Sequence, residues 1–147
     1  MLIFQGATPV LQVDDVARSV AWYTEALGFS GDPFPDAPPY EFAILTRDRA
    51  EVMLQRRRPA EAADAKGSPP APPAAPPPNG WSVYLRLKGG ELLPFAEAVR
   101  ARTTILRGPE RMFYQQVEFE VADPDGHRIC VGEPLPPDVD VPAARED

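Results

Sequence analysis

Cysteine and histidine are almost absent from the sequence, which contains only Cys130 and His127 among its 147 residues. A single cysteine cannot form a disulfide within the chain, so the core and the backbone hydrogen bonds must hold the fold. The net charge of −7 leaves no basic surplus for a phosphate backbone, which argues against nucleic acid as a partner. The sequence also lacks an apolar run of membrane-spanning length and the pattern of a signal peptide. These absences predict a cytoplasmic protein without a membrane partner.

Proline is the residue in excess, with 20 in the chain. Proline-rich segments offer few side chains to bury and lack backbone donors, so we predict an extended linker over 57–79 and a flexible tail over 134–147. The alternative for 69–78 is a ligand for an SH3-like domain. The linker divides a single domain into two halves, 7–56 and 80–133.

The first half predicts a strand, a helix and three further strands. Residues 8–13 alternate as in a strand, 16–27 carry apolar residues at helical spacing, and Gly28 suits the position after a helix end. The turn-rich FSGDPF allows only a short strand, and YEFAILT with EVMLQ predicts a hairpin.

The second half repeats this order. WSVYLRL predicts a strand, GGELLPFAEAVRAR a helix, TTILR a short strand, and a hairpin follows with DPDG as its turn. Residues 41–54 align with 118–131 at a constant offset of 77, and the first strands align at 74. Matching order, spacing and turn position indicate a duplicated βαβββ unit. The predicted fold is α+β, with two tandem βαβββ modules forming a curved mixed sheet around a central cup.

One helix can cover only one face of a four-stranded sheet. The opposite faces carry mixed side chains, so we expect a wet cup that takes a small molecule there. The residues predicted to face the helices are Val13, Val52, Leu54, Leu85, Leu87, Phe119, Val121, Ile129 and Val131. The candidate ligand-binding residues of the cup are Thr8, Gln12, Met53, Gln55, Trp81, Ser82, Tyr84, Arg86, Phe113, Tyr114, Glu118, Arg128 and Cys130.

Three stretches resemble the vicinal-oxygen-chelate superfamily, namely VDDVARSVAWYTEALGF, the pair Gly108–Pro109, and VEFEVADPDGHRICVGE. This superfamily includes glyoxalase I, extradiol dioxygenases, and fosfomycin- and bleomycin-resistance proteins. The resemblance covers 7–133 apart from the linker and implies paired βαβββ modules. It also implies a homodimer, as do the exposed edges of a duplicated sheet.

Metal-using members of the superfamily bind their ion at four positions on the first and last strands of the two modules. Carried over by the resemblance, these positions fall on Thr8, Met53, Ser82 and Cys130, with Trp81 in place of Ser82 if the register slips by one. Divalent ions at such sites need oxygen or imidazole donors, and these four side chains are a poor set. We therefore expect no metal and no other cofactor.

The single histidine and the single cysteine have structural interpretations. His127 follows Gly126 in a predicted turn, where an exposed side chain is expected rather than a metal ligand. Cys130 is expected to be a small buried side chain, because no histidine is predicted near it to activate a nucleophile.

The leading functional hypothesis is a metal-independent protein that binds an antibiotic-like small molecule, as the resemblance to bleomycin-resistance proteins implies. Flat aromatic side chains could contact an aromatic ligand, arginines an anionic group, and glutamates a cationic one. Each of these side chains could instead serve the structure, for example by pairing across strands. The residues are Trp81, Tyr84, Phe113 and Tyr114 for the aromatic contacts, Arg86 and Arg128 for an anion, and Glu118 and Glu120 for a cation.

Two alternatives remain open. One is a metal-dependent lyase, isomerase or dioxygenase on the same fold, for which the nearby oxygen donors are Glu51, Gln55, Glu118 and Glu120. The other is a non-catalytic scaffold or regulatory partner that uses the dimer surface or the linker. The poor ligand set favours a protein that is not an enzyme.

Overall fold

A computed structural model describes residues 1–58 and 80–144. The first module contains β1 (Val10–Val13), α1 (Val16–Leu27), β2 (Pro33–Phe34), β3 (Phe42–Arg47) and β4 (Ala50–Arg56), and the second contains β5 (Val83–Arg86), α2 (Leu92–Arg100), β6 (Ile105–Arg111), β7 (Gln116–Ala122) and β8 (Arg128–Pro134). The order confirms the α+β fold with two βαβββ modules. Most of the predicted linker lies outside the described residues. No helix in the described part of the chain is long and apolar enough to cross a membrane.

Each module forms its own four-stranded mixed sheet. Sheet A has the order β1-β4-β3-β2, and sheet B has the equivalent order β5-β8-β7-β6. The first strand of each module pairs in parallel with the last, while the other neighbours are antiparallel. A parallel pair requires a crossover connection, and the helix that forms part of it covers one face of the sheet.

Local signals in the sequence define the ends of α1. The Asp15 side chain accepts a hydrogen bond from the Arg18 backbone nitrogen at 3.0 Å and thereby caps the first turn. Gly28 follows the last turn with φ 74°, a left-handed conformation that glycine adopts without a steric penalty. The buried positions of the helix are Val16, Ser19, Tyr23, Ala26 and Leu27.

The core lies between each helix and its sheet, on the face that alternation predicts. Seven of the nine residues predicted to face the helices are buried, and Leu85 and Leu87 are partly buried against the same core. The predicted facing of the strands is therefore confirmed. The seven buried residues are Val13, Val52, Leu54, Phe119, Val121, Ile129 and Val131.

Strand pairing confirms the internal repeat for the first and last strands of the modules. Leu11 pairs with Leu54 in sheet A, and Leu85 pairs with Val131 in sheet B. These pairs reproduce the predicted offsets of 74 residues for the first strands and 77 for the last strands. The duplication thus extends to backbone register.

The third strands of the modules correspond at an offset of 76, so the predicted offset of 77 is wrong for them. Met53 pairs with Ile44, whereas its counterpart Cys130 pairs with Glu120. The two hairpins turn differently, because two residues separate the strands in the first and five, 123–127, separate them in the second. Similar apolar spacing on both strands conceals this one-residue difference in the sequence.

The turn 123–127 joins the two modules by packing against the first one. The Tyr23 hydroxyl donates a hydrogen bond to Asp123 Oδ2 at 2.8 Å, and His127 Nε2 donates to the Gln12 carbonyl oxygen at 2.7 Å. His127 is only 7% exposed, so the prediction of an exposed turn histidine is wrong. Turn chemistry predicts the turn itself, but it carries no information about the helix on which the turn packs.

The segment after β8, for which the sequence predicts a flexible tail, contacts sheet B as far as Ala144. Arg111 of β6 forms a parallel bridge with Ala143, and Val141 is buried in the core. Backbone hydrogen bonds join Arg111 to Pro142 and Ala144. This segment therefore covers part of the β6 edge.

Candidate functional site

Each sheet has one face that its helix leaves uncovered, and we call these surfaces open face A and open face B. The strand register assigns the side chains of both faces, and it divides the predicted cup residues between them. Open face A carries Val10, Gln12, Phe42, Ile44, Met53 and Gln55. Open face B carries Tyr84, Arg86, Glu118, Glu120, Arg128, Cys130 and Gly132.

A cavity of about 630 Å³ lies on open face A. Its floor is apolar, with Val10, Phe42 and Met53 side by side on neighbouring strands. Phe42 also stacks on Phe34, with ring centroids 5.0 Å apart and an interplanar angle of 17°. The lining residues are Val10, Glu41, Phe42, Met53, Leu54, Gln55, Arg56 and Arg58, and all of them except Arg58, which follows β4, belong to the first module.

Charged groups lie at the rim of this cavity. Arg56 Nη2 is 2.9 Å from Glu41 Oε1, while Arg56 Nε is buried and finds no hydrogen-bond partner in the described part of the chain. The next residue, Arg57, forms an ion pair of 3.1 Å with Asp14. Among the lining residues, Arg56 and Arg58 outnumber the single carboxylate of Glu41, so the rim has a positive balance in a chain that is acidic as a whole.

Only Met53 and Gln55 of the predicted cup residues line the cavity. Val10, Phe42 and Arg56 are important lining residues that the sequence-based prediction does not include. The sequence contains only a weak signal for these three residues. Alternation places the first two on the uncovered face of their strands, and a run of three arginines begins at Arg56, the last residue of β4.

Open face B is closed by its own side chains. Glu118 is 0% exposed, and its Oε2 accepts hydrogen bonds from the hydroxyls of Tyr84 at 2.8 Å and Tyr114 at 2.7 Å. Burial, and next the hydrogen bond to Glu118, raises the pKa of both phenols well above the ordinary value. Both tyrosines therefore stay protonated and act as hydrogen-bond donors at neutral pH.

Arg107 provides the positive charge for this network. Its guanidinium contacts the carboxylates of Glu110 and Glu120 and lies 3.3 Å from Glu118 Oε1. Trp81 Nε1 donates a further hydrogen bond to Glu120 Oε1 at 3.0 Å. The carboxylates that the sequence offers for a cationic ligand are thus occupied by groups of the same module.

Cys130 lies in the middle of this face and is buried, as expected for a small structural side chain. Burial, followed by the nearby negative charge of Glu118, raises the pKa of its thiol far above the ordinary value. A protonated, buried thiol is a poor nucleophile and a poor metal ligand.

The four positions that the resemblance assigns to metal ligands do not form a donor set. The Thr8 hydroxyl donates to Glu51 Oε1 at 2.8 Å, Met53 lines the cavity, and Ser82 lies beside β8 in sheet B with Cys130. Among residues 1–58 and 80–144, no group of three or more His, Cys, Asp or Glu side chains could hold a metal ion. These residues do not fit a divalent ion.

The remaining predicted ligand contacts are scattered. Arg86 lies with its guanidinium carbon 5.9 Å from the centroid of the Tyr84 ring, and Arg128 Nη1 is 3.9 Å from Glu120 Oε1. Phe113 is 91% exposed in the β6–β7 turn. None of these residues lines the cavity on open face A.

Comparison with solved structures identifies the same fold in several bacterial proteins. A virulence protein from Salmonella typhimurium shares 23% identity, with 92% of this chain and 100% of that chain covered and a TM-score of 0.61. A lactoylglutathione lyase from Agrobacterium tumefaciens shares 18% identity, with 86% and 90% covered and a TM-score of 0.61. A glyoxalase/bleomycin resistance protein/dioxygenase from Nocardioides shares 18% identity, with 99% and 93% covered and a TM-score of 0.61. At these identities the likeness shows the fold alone.

Comparison with curated proteins gave no match. The family model of the Glyoxalase/Bleomycin resistance protein/Dioxygenase superfamily, in contrast, matches residues 7–131. This match spans most of the chain and both modules, and it confirms the resemblance to the vicinal-oxygen-chelate superfamily. The chain therefore belongs to the Glyoxalase/Bleomycin resistance protein/Dioxygenase superfamily.

Proposed function

We propose that this protein binds a small, antibiotic-like molecule without a metal ion, and that the cavity on open face A is the binding site. The observation that carries the proposal is the cavity itself, with about 630 Å³ of space over an apolar floor. Ligand pockets in proteins typically have volumes of about 300–1,000 Å³ and are lined mainly by apolar side chains with a few polar groups. The cavity has a volume in this range, and it combines an apolar floor with polar and charged residues around it.

The side chains at the family's ligand positions support binding rather than metal-assisted chemistry. Met53, at one of these positions, offers the cavity a polarizable apolar surface in place of a carboxylate. On open face B, Glu118 is held by three hydrogen-bond donors and Cys130 is buried and protonated. The chain's own groups therefore favour holding a molecule over transforming it.

Metal analysis and probe binding test this proposal together. The protein is purified without a histidine tag, its metal content is measured, and binding of the fluorescent probe 1-anilinonaphthalene-8-sulfonate is titrated. We expect no stoichiometric divalent ion and saturable binding of the probe. A stoichiometric ion, with probe binding that is lost on chelation, would overturn the metal-independent site.

A matched pair of variants locates the bound probe. Phe42→Ser removes an apolar side chain from the cavity floor and should weaken probe binding about fivefold, or about 1 kcal/mol. Phe113→Ser makes the same change at an aromatic residue that is outside the cavity and should leave binding unchanged. Equal losses in the two variants would contradict the assignment of the cavity.

A further inference from the structure

We propose that the molecule bound on open face A is a flat apolar acid, with its anionic group against Arg56 and Arg58 and its apolar body on Phe42. This inference rests on the proposed function and adds the chemical class of the ligand. It follows from the charge at the rim, from the exposed part of the Arg56 side chain, and from the stacked aromatic floor.

The charge at the rim favours an anion. The cavity lining contains two arginines and one carboxylate, that of Glu41, in a chain with a net charge of −7. The intervening Arg57 points its charge to Asp14 instead. A site with two guanidinium groups and one carboxylate has a positive balance, which favours an anion over a cation.

Arg56 still has exposed surface at this rim. Its Nη2 pairs with Glu41 at 2.9 Å, yet the side chain remains 39% exposed. A guanidinium has five N–H donors, so one ion pair leaves others for a second acceptor. A carboxylate is well matched to a guanidinium, since its two oxygens can accept two N–H groups.

The apolar floor favours a flat molecule. Phe34 and Phe42 stack on each other yet remain 44% and 37% exposed, and Val10 beside them is also exposed. An aromatic ring gains both from covering this apolar area and from an offset stack on the exposed ring face. Phe42 lines the same cavity as Glu41, Arg56 and Arg58, so the apolar floor and the charged rim belong to one site.

Open face B is less suited to such an acid. Its carboxylates Glu110, Glu118 and Glu120 surround Arg107. Of the other arginines on that face, Arg128 lies 3.9 Å from Glu120 and Arg86 lies over the Tyr84 ring. An anion brought to open face B would therefore meet the negative charge of this network as well as its guanidinium groups.

A series of probes with one ring system and three charges tests the inference. 2-Naphthoate, naphthalen-2-ylmethanol and naphthalen-2-ylmethylammonium are titrated into the full chain at low ionic strength by isothermal titration calorimetry. We expect the acid to bind at least about tenfold tighter than the amine, a difference of about 1.4 kcal/mol. The neutral alcohol should fall between them.

Three variants change the rim in known directions. Arg56→Gln should weaken 2-naphthoate about tenfold and leave the alcohol unchanged, since it removes the charge and keeps the floor. Glu41→Gln should strengthen 2-naphthoate, because it removes the carboxylate that competes for Arg56. Arg49→Gln makes the same charge change as Arg56→Gln but lies in the β3–β4 turn outside the cavity, and it should have no effect.

The outcomes separate the ligand class from the site. If the acid and the amine bind equally, or if Arg49→Gln weakens binding as strongly as Arg56→Gln, the proposed ligand class is wrong. The proposal of a small-molecule site on open face A would be unaffected. If none of the three probes binds and Phe42→Ser leaves 1-anilinonaphthalene-8-sulfonate binding intact, the site on open face A falls together with the inference.

Discussion

On open face B, the Tyr84 ring can occupy its position only because Gly132 has no side chain. The Tyr84 hydroxyl reaches Glu118 only by crossing Gly132, where a Cβ atom would lie 2.0 Å from that hydroxyl oxygen. Atoms in a packed protein do not approach so closely, so any larger residue at this position must displace the ring. Gly132 is required here by space rather than by backbone conformation.

The substitution Gly132→Ala tests this requirement. We expect the added methyl group to displace Tyr84, break its hydrogen bond to Glu118 and lower the free energy of unfolding by about 1–3 kcal/mol. Urea unfolding of the wild type and the variant measures the difference. In a Tyr84→Ala background the ring is gone, and the same substitution should cost much less. An equal cost in both backgrounds would show that the ring is not the obstacle.

The sequence predicts the faces of such residues but not their partners. Alternation places Tyr84 and Glu118 on one face, and the strand register agrees. The closing of that face depends on Arg107, which comes from β6. Pairing between β6 and β7 shifts register on both sides of Arg107, so simple alternation cannot place its side chain.

The turn between β7 and β8 is the element that connects the modules. Asp125 Oδ1 accepts a hydrogen bond from the Asp14 backbone nitrogen at 2.9 Å, just before α1 begins. Asp123 is buried next to α1 and accepts hydrogen bonds from the Tyr23 hydroxyl and from two backbone nitrogens of its own turn. Burial raises the pKa of the Asp123 carboxyl, although these hydrogen bonds oppose the shift.

This raised pKa makes stability depend on pH with a definite sign. The unfolded pKa of aspartate is about 3.9. A carboxyl whose folded pKa lies above this value stays protonated up to a higher pH in the folded state than in the unfolded state. The contribution of Asp123 to the free energy of unfolding should therefore fall as the pH rises from about 4 through the folded pKa of this carboxyl. Thermal and urea unfolding at constant ionic strength over this range measure the slope.

Asp123→Asn isolates the contribution of this one group. Asparagine keeps an oxygen for the two backbone nitrogens, and its amide can donate to the Tyr23 hydroxyl oxygen, so the turn should persist. The variant should lose the part of the slope that Asp123 contributes. Asp32→Asn, at an exposed position of the first module, should retain the wild-type slope. An unchanged slope in Asp123→Asn would refute the assignment.

Sequence patterns anticipate the elements of the fold better than the contacts between them. The capped helix, the hairpins and the repeat follow from local signals and are all present. The docking of the turn on α1 joins residues about a hundred positions apart, and neither turn chemistry nor periodicity reports on such pairs. The burial of His127 belongs to the same class of contact.

Across the whole molecule, one duplicated fold presents two dissimilar surfaces. Sheets A and B share strand order and the register of their first and last strands, but open face A holds a cavity while open face B is filled by an ionic network. The repeat therefore predicts the architecture and says little about which module binds a ligand. That difference depends on a few positions at which the two modules carry different residues. One example is Phe42 in β3, whose equivalent in β7, at an offset of 76, is Glu118.

The apolar surface left on one chain predicts a homodimer. Met1, Leu2, Ile3 and Phe4 form an N-terminal arm whose side chains are each at least 60% exposed. β1 and β5 lie at the edges of their sheets. Four consecutive exposed apolar side chains are unfavourable in water, as are unpaired strand edges, and a second copy of the chain can cover both. We expect sedimentation velocity at micromolar concentration to give twice the mass of the chain.

The arm itself can be tested by reducing its apolar surface. The double variant Leu2→Ser and Phe4→Ser should shift the equilibrium towards monomer, because it removes apolar area that the dimer buries. Phe113→Ser makes a similar change at an exposed residue far from the arm in sequence and serves as the control. If the control dissociates as readily as the arm variant, the arm has no special role. A wild-type protein that sediments as a monomer at these concentrations would contradict the homodimer altogether, and the exposed arm would then need a different partner.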